Sequence, residues 1–293
     1  MNSIGKELRY SIRNYELIDD IWEPTFEWQH EALMGWKRLL ILAARQSGKS
    51  TISAGRTHGN ARFHKAANVI IAPTERHSKE TMLKLDDFAK ADPEVNLKND
   101  AMLEKLYDNG GRILALAGTQ KAVRGYSKPK TVVLDEAAQI EDATYGSTRP
   151  YLTGNPDCEL IAVTTPYGKQ GWFYKAWTES KNWHKILVKP AFKLSPDERE
   201  VIPDIPEEQF RAHWAALGVS AYYSPRHTYE FLKEELEEVG PNMWRQEYNC
   251  EFLDDGFSVF DINAIRDSIT TSVTNMFTET DYISESGEYW GNL

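Results

Sequence analysis

Two short stretches hold residues whose types and spacing suit phosphate chemistry. The first, Leu39–Ile52, reads LLILAARQSGKSTI: an apolar run, a polar loop, Gly48-Lys49-Ser50, then helix-forming residues. That order gives strand, phosphate-wrapping loop and helix. A helix start leaves backbone N–H groups unpaired, and these attract a polyphosphate. Gly48 keeps a side chain away from the phosphate oxygens, Lys49 can set its ammonium between the β and γ phosphates, and the Ser50 hydroxyl can ligate magnesium. The usual pattern opens with a glycine four residues ahead of the Gly-Lys pair, and here Ala43 stands in that place. An ordinary strand-to-helix turn with an exposed lysine is therefore the competing local reading. The second stretch, Thr131–Ala138, reads TVVLDEAA and delivers Asp135 and Glu136 at the end of an apolar strand. In nucleotide hydrolases the first such carboxylate holds magnesium and the second deprotonates the attacking water. Adjacent residues at a strand end point in different directions, which suits two jobs. The pair could instead cap a following helix, but two half-sites in the right order support each other.

Holding these groups requires buried strands. Asn68–Thr74 (NVIIAPT) and Leu160–Pro166 (LIAVTTP) are continuous apolar runs of the kind found in parallel sheets covered on both faces. The second ends in Thr164 and Thr165, whose hydroxyls can sense a γ phosphate or the attacking water. Lys49–Arg62 and Glu75–Ala89 read as helices. Arg76, His77 and Lys79 in the first turn of the latter oppose its dipole, which points to a ligand or DNA contact. Leu103–Tyr107 and Arg112–Ala117 flank Asp108-Asn109-Gly110-Gly111, a hairpin signal. Between this hairpin and the paired acids lies Gly118–Lys130, a basic loop with Arg124-Gly125 as its sharpest feature. Arg124 could serve the site, contact phosphate or pair with a surface carboxylate. Upstream, Trp22, Phe26, Trp28 and Trp36 suggest a segment packed on the main domain, with a helix over Glu27–Leu33; the Gln29 amide can both donate to and accept from an adenine edge.

After Pro166 the pattern becomes less regular. A short helix over Trp172–Ser180, a partly exposed strand over Trp183–Lys189 and a helix over Glu207–Leu217 are expected. Pro225–Glu238 should form a helix, broken at Gly240-Pro241 and followed by a second one up to Tyr248. From Phe252 the chain is acidic and rich in Ser and Thr, with a short helix at Ile262–Ile269, and reads as a linker.

The chain's 293 residues can hold one large α/β domain and a smaller one. Its 41% apolar and 27% charged content describes a folded protein. Cys158 and Cys250 supply neither a disulfide framework nor metal spacing and fit a reducing cytosol. No secretory signal opens the sequence, and no apolar run suffices to cross a bilayer, so no membrane partner is expected. A net charge of −10 argues against a broad nucleic-acid coat without excluding a local basic groove.

Taken together, the motifs resemble the large terminase subunit, the motor of tailed-virus (bacteriophage) DNA packaging, over its N-terminal ATPase half. The family's phosphate loop commonly carries Arg-Gln before the final glycine, as Arg45-Gln46-Ser47-Gly48-Lys49-Ser50 does here, which accounts for Ala43. Trp28-Gln29 resembles its adenine-reading segment, and Ala72-Pro73-Thr74 with Arg76 a helicase-like motif. Val133–Ala137 resembles its magnesium and catalytic-base motif, and Thr164-Thr165-Pro166 its coupling motif. Gln246-Glu247-Tyr248, Glu251-Phe252 and Gly256–Phe260 are similar to the segment between ATPase and nuclease.

The resemblance implies an α/β fold: a RecA-like P-loop ATPase of the additional-strand, catalytic-glutamate type, with a mostly parallel central sheet and a smaller C-terminal lid. The expected divisions are 1–38 (aromatic segment), 39–166 (ATPase core), 167–252 (lid) and 253–293 (linker). It implies ATP and Mg2+ as cofactors, held by Gln29, Arg45, Gln46, Ser47, Gly48, Lys49, Ser50, Thr51, Thr164 and Thr165, with Ser50 and Asp135 on the metal. Glu136, Lys49, Arg124 and Arg45 are the implied catalytic set. Arg124 is favoured as a finger reaching a neighbouring subunit, with Arg45 bracing its own loop. Implied partners are double-stranded DNA, the portal protein, the small terminase subunit and copies of this chain in a ring of about five, in the host cytoplasm at the procapsid portal vertex rather than in the mature virion. The family's nuclease half needs well over a hundred residues, so no nuclease activity is expected from a chain with about thirty residues after Phe260. A helicase or chromatin-type translocase shares both motifs but should add a second RecA-like domain. An ATP-switched binding protein would not need Glu136.

Overall fold

The computed structural model describes residues 26–119 and 128–254. By contacts the chain divides into two units, Met1–Asp254 and Asp255–Leu293, and every described residue belongs to the first. The expectations placed on Trp22, on Arg124-Gly125, on Gly256–Phe260 and on the helix at Ile262–Ile269 lie outside the described residues.

The chain begins with helix α1 (Glu27–Leu33), β1 (Arg38–Ala43), α2 (Lys49–His64), β2 (Ala67–Ala72) and α3 (Glu75–Ala91). Strands β3 (Leu97–Ala101), β4 (Glu104–Tyr107), β5 (Arg112–Ala117) and β6 (Thr131–Asp135) follow. Then come α4 (Asp142–Gly154), β7 (Glu159–Thr164), α5 (Gly171–Thr178), β8 (His184–Lys189), β9 (Phe192–Leu194) and β10 (Val201–Pro203). Helix α6 (Glu207–Ala216), β11 (Ser220–Tyr223) and the helical segment α7 (Tyr229–Glu247) complete the order.

Nine strands form one sheet in the order β11-β8-β1-β7-β6-β2-β5-β4-β3, parallel from β11 through β5 and antiparallel at the β5-β4-β3 edge. Alternating side chains serve two separate cores, as the two-residue strand period requires. Leu39, Ile41, Ile70, Val133, Ile161 and Val163 pack beneath α1, α2 and α3. Leu40, Leu42, Val69, Val132, Leu134 and Leu160 pack beneath α4, α5 and α6. The parallel strands carry apolar residues on both faces because both faces are covered.

The expected hairpin across 108–111 is present, with β4 and β5 antiparallel and Gly110 at φ 91°. Strand β3 has no signal in the sequence: LKNDA is largely exposed and polar, and it pairs only through its edge position. Helix α4 has none either, since Gly146, Pro150 and Gly154 depress its propensity. It forms because Tyr151 is buried and Tyr145 stacks on Trp172 at 4.0 Å.

The segment after Pro166 adds three strands that were not expected, β9, β10 and β11, and differs from expectation at β8. β8 is buried inside the sheet between β1 and β11, not half exposed. Its alternating lysines are satisfied internally, Lys185 donating to the Trp177 carbonyl at 2.7 Å and Lys189 pairing with Asp204 at 2.7 Å. A partition at 166 thus cuts through the sheet. What stands outside it is smaller: the β9–β10 ribbon and α7, with Val201, Leu232, Leu236, Trp244 and Tyr248 as a separate core.

At the N-terminal edge of the sheet a buried ion pair joins the layers. Arg56 of α2 meets Glu159 of β7 through two hydrogen bonds, 3.0 and 2.9 Å, and donates to the Leu33 carbonyl at 2.5 Å. Asn60 also donates to Glu159, at 3.2 Å. Arg56→Leu removes the bidentate partner of this buried carboxylate and leaves it Asn60, Thr131 and Lys130 at 3.7 Å. Breaking a buried pair costs about 3–5 kcal/mol, and urea unfolding should show a loss of that size; a loss below about 1 kcal/mol would place the pair among the weak ones.

Candidate functional site

Three strands control the position of the candidate residues. β7 lies between β1 and β6 and is parallel to both. Leu42 pairs with Thr164 and Asp135 with Val163, so the three chains leave the sheet at nearly one level. The loop before α2, the paired acids and the two threonines therefore meet at the C-terminal edge, where open α/β sheets bind ligands.

The phosphate-loop candidate is tightly turned. Gln46 and Gly48 take left-handed φ values of 59° and 98°. A Cβ at residue 48 would stand 3.0 Å from the Gln29 side-chain nitrogen, so glycine answers to both the turn and the close approach of α1. Helix α2 starts with no side-chain cap and no acidic residue in its first turn, and the Ser47 hydroxyl is buried with no partner among the described residues. Its exposed donors fit an anion. Lys49 is buried and its Nζ donates to the Ala43 and Ala44 carbonyls at 3.3 and 3.4 Å.

Gln29 sits against this loop, buried on α1. Its Oε1 accepts from the Phe26 N–H at 3.0 Å, closing the first turn of its helix. Glu31 fastens the same helix to the sheet by accepting from Ser220 at 2.7 Å and from His184 and Tyr222. Arg45 and Gln46 are exposed, whereas Ser50 and Thr51 are half-buried. The basic first turn of α3 has local partners: His77 meets the Thr74 hydroxyl and Lys79 pairs with Glu75.

Asp135 is only 3% exposed, and its Oδ2 accepts from the Thr81 hydroxyl at 2.5 Å. Burial pushes its carboxyl above the usual carboxylate range, the neighbouring Glu136 charge adds to the rise, and Thr81 and Lys49 oppose it. Lys49 thus acts electrostatically on Asp135 across the cleft. Glu136 adopts a left-handed backbone, φ 49° and ψ 49°, a conformation that costs a non-glycine residue about 1–3 kcal/mol and concentrates at functional sites. The Thr164 hydroxyl lies 3.4 Å from Glu136 Oε2, donates its one proton to the Thr165 carbonyl at 2.6 Å, and accepts from the Ala138 N–H at 3.2 Å.

Among the described residues no cluster of three or more His, Cys, Asp or Glu side chains could cage a metal. One carboxylate with one hydroxyl would suit magnesium, which keeps several waters and relies on substrate phosphates; of the expected pair, Asp135 is buried and Ser50 half-buried. Thr81 escapes sequence reasoning because a helix threonine carries no motif; only the fold brings it to Asp135. Among the described residues no helix is long and apolar enough to cross a membrane.

Residues 40–267 match the family described as terminase large subunit, T4-like-virus type, N-terminal. Among solved structures, the chain is similar to the large terminase ATPase domain of Thermus phage P74-26, with 19% identity, a TM-score of 0.57, and coverage of 82% of this chain and 97% of that one. It is also similar to the HK97 bacteriophage large terminase, at 16% identity and TM-score 0.60, covering 82% and 55% of the two chains. For a further large terminase, from a thermophilic bacteriophage, the values are 8%, 0.54, 82% and 57%. The chain thus spans about half the length of the latter two, and at these identities the likeness speaks for the fold. No curated protein matches the chain.

Thr81→Val keeps the shape of the side chain and removes the donor to Asp135. Loss of a group that orients a metal ligand costs about 10–100-fold in metal affinity, so the Mg2+ concentration for half-maximal nucleotide binding should rise at least about tenfold. An unchanged Mg2+ requirement would show that Thr81 serves packing alone.

Proposed function

The chain belongs to the terminase large subunit family, T4-like-virus type, N-terminal part, and from that premise we propose that it is the ATP-hydrolysing motor of viral genome packaging. The observation that carries this reading is the insertion of β7 between the loop strand and the acid strand, with Thr164 beside Glu136 at their common edge. In the proposed cycle the first-turn N–H groups of α2, Ser47 and Lys49 bind the triphosphate, with Arg45, Gln46 and Thr51 lining the loop and Gln29 facing the adenine. Ser50 and Asp135 would hold a magnesium ion, whose charge would stabilise the transferring phosphoryl group. Glu136 takes a proton from the water that attacks the γ phosphate in line.

Thr164 has a single hydroxyl proton and two acceptors within reach, the Thr165 carbonyl and Glu136. Exchange of that proton between them would report the charge of Glu136 to the backbone of β7, and this is the proposed coupling step. Arg124 would complete a neighbouring subunit's site in a ring of about five copies. Arg45, whose peptide N–H and carbonyl are both engaged, braces the loop. Double-stranded DNA, the portal protein and the small terminase subunit are the proposed partners, at the procapsid portal in the host cytoplasm.

Glu136→Gln should retain MgATP affinity and lose turnover by about 10²–10⁴; hydrolysis at the normal rate would remove Glu136 from the role of base. Arg124→Ala should lose about 10³–10⁵ in turnover, and adding Lys49→Ala protein should restore hydrolysis if the arginine acts between subunits. No recovery on mixing would confine Arg124 to its own subunit.

A further inference from the structure

Helical segment α7 is broken at Gly240 (φ 76°, ψ 168°), next to Pro241. Unbroken, its 19 residues would span about 28 Å. Instead, both of its ends reach the backbone of one residue, Arg45, two residues past β1. His227, just ahead of the N-cap Thr228, donates from Nε2 to the Arg45 carbonyl at 2.7 Å. At the far end the Glu247 carbonyl accepts from the Arg45 N–H at 2.8 Å. The bend is cross-linked: Trp244 Nε1 donates to the Leu232 carbonyl at 2.9 Å, and the Tyr248 hydroxyl to Glu235 at 2.7 Å. The result is a helical hairpin whose open end grips the phosphate loop.

His227 is 5% exposed, with its ring against Phe231 and Tyr248. The Arg45 carbonyl only accepts, so Nε2 carries the proton and the lone pair of the neutral ring falls on Nδ1. That atom is buried with no partner among the described residues. A buried polar atom left unpaired is unfavourable, so apolar packing alone gives no reason for an imidazole at this position. The bond to Arg45 does. Burial, with the nearby positive charges of Lys49 and Arg226, pushes the ring's pKa below its ordinary value against the opposing effect of the Arg45 hydrogen bond.

We propose that His227 is a positioning residue for nucleotide binding. Together with the Glu247 carbonyl it fixes the two peptide groups flanking Arg45, so that the N–H groups of the loop and of the first turn of α2 stay aimed at the phosphates. The same two bonds tie the occupancy of the loop to the placement of the α7 hairpin. The inference rests on the reading of residues 44–50 as the nucleotide site.

Binding of a fluorescent ATP analogue with Mg2+ to the whole chain tests it, alongside thermal unfolding of each variant. His227→Phe keeps the ring volume and removes the donor; its dissociation constant should rise about three- to tenfold, the equivalent of one hydrogen bond. His227→Gln places an amide N–H at the reach of Nε2 and should stay within about twofold of wild type. Should the Phe variant fail to fold, His227→Asn, whose amide is too short for Arg45, carries the same expectation as Phe. Wild-type affinity in His227→Phe, or equal weakening in the Phe and Gln variants, would overturn the proposal. Absence of binding by the wild type, or unchanged binding in Lys49→Ala, would instead overturn the nucleotide site on which it rests.

Discussion

The arrangement depends on one constraint: three parallel strands must end at the same height. β7 is hydrogen-bonded to β1 on one side and β6 on the other, and their registers bring Leu42, Thr164 and Asp135 to neighbouring levels. A slip of one residue in either pairing would exchange the two faces of a strand buried on both sides. Leu160 and Ala162 serve one core and Ile161 and Val163 the other, so packing on two faces enforces the register. The chemistry at the edge inherits its precision from that packing, not from contacts among the polar groups themselves.

The two edges of the sheet differ in character. At the N-terminal edge Arg56 and Asn60 both donate to Glu159 in the interior, although Asn60 Oδ1 is buried with no partner among the described residues. At the C-terminal edge Glu136 and Gln46 have left-handed backbones, Ser47 keeps an unpaired hydroxyl and Asp135 is held above its usual pKa. Left-handed backbones and a carboxyl held above its usual range gather at the C-terminal edge, as they do at functional sites. A polyphosphate would meet the N–H groups of α2, and a magnesium ion would ease the like-charge pressure on Asp135.

Much of this is legible in the sequence, for identifiable reasons. Buried parallel strands are continuous apolar runs, so β1, β2, β6 and β7 announce themselves. Glycine at 48, 110 and 240 marks two turns and a helix break, each needing positive φ. The exposed edge strand β3 and the helix α4 give no such signal, because edge pairing and the stacking of Tyr145 on Trp172 decide them. β8 misleads because its lysines imitate an exposed face while their ammonium groups find internal acceptors. Thr81 and His227 are illegible in principle: each acts through a contact between residues 54 and 182 positions apart in the chain. Single-sequence patterns carry periodicity and local motifs, not such pairings.

The most direct measurement is a crystal structure of the chain with Mg2+ and a non-hydrolysable ATP analogue. The account predicts β and γ phosphates over the first-turn N–H groups of α2, the metal on Ser50 and Asp135, and a water between the γ phosphorus and the Glu136 carboxylate. An analogue bound away from Lys49, or a Glu136 carboxylate turned from the γ phosphate with no room for water between them, would contradict it.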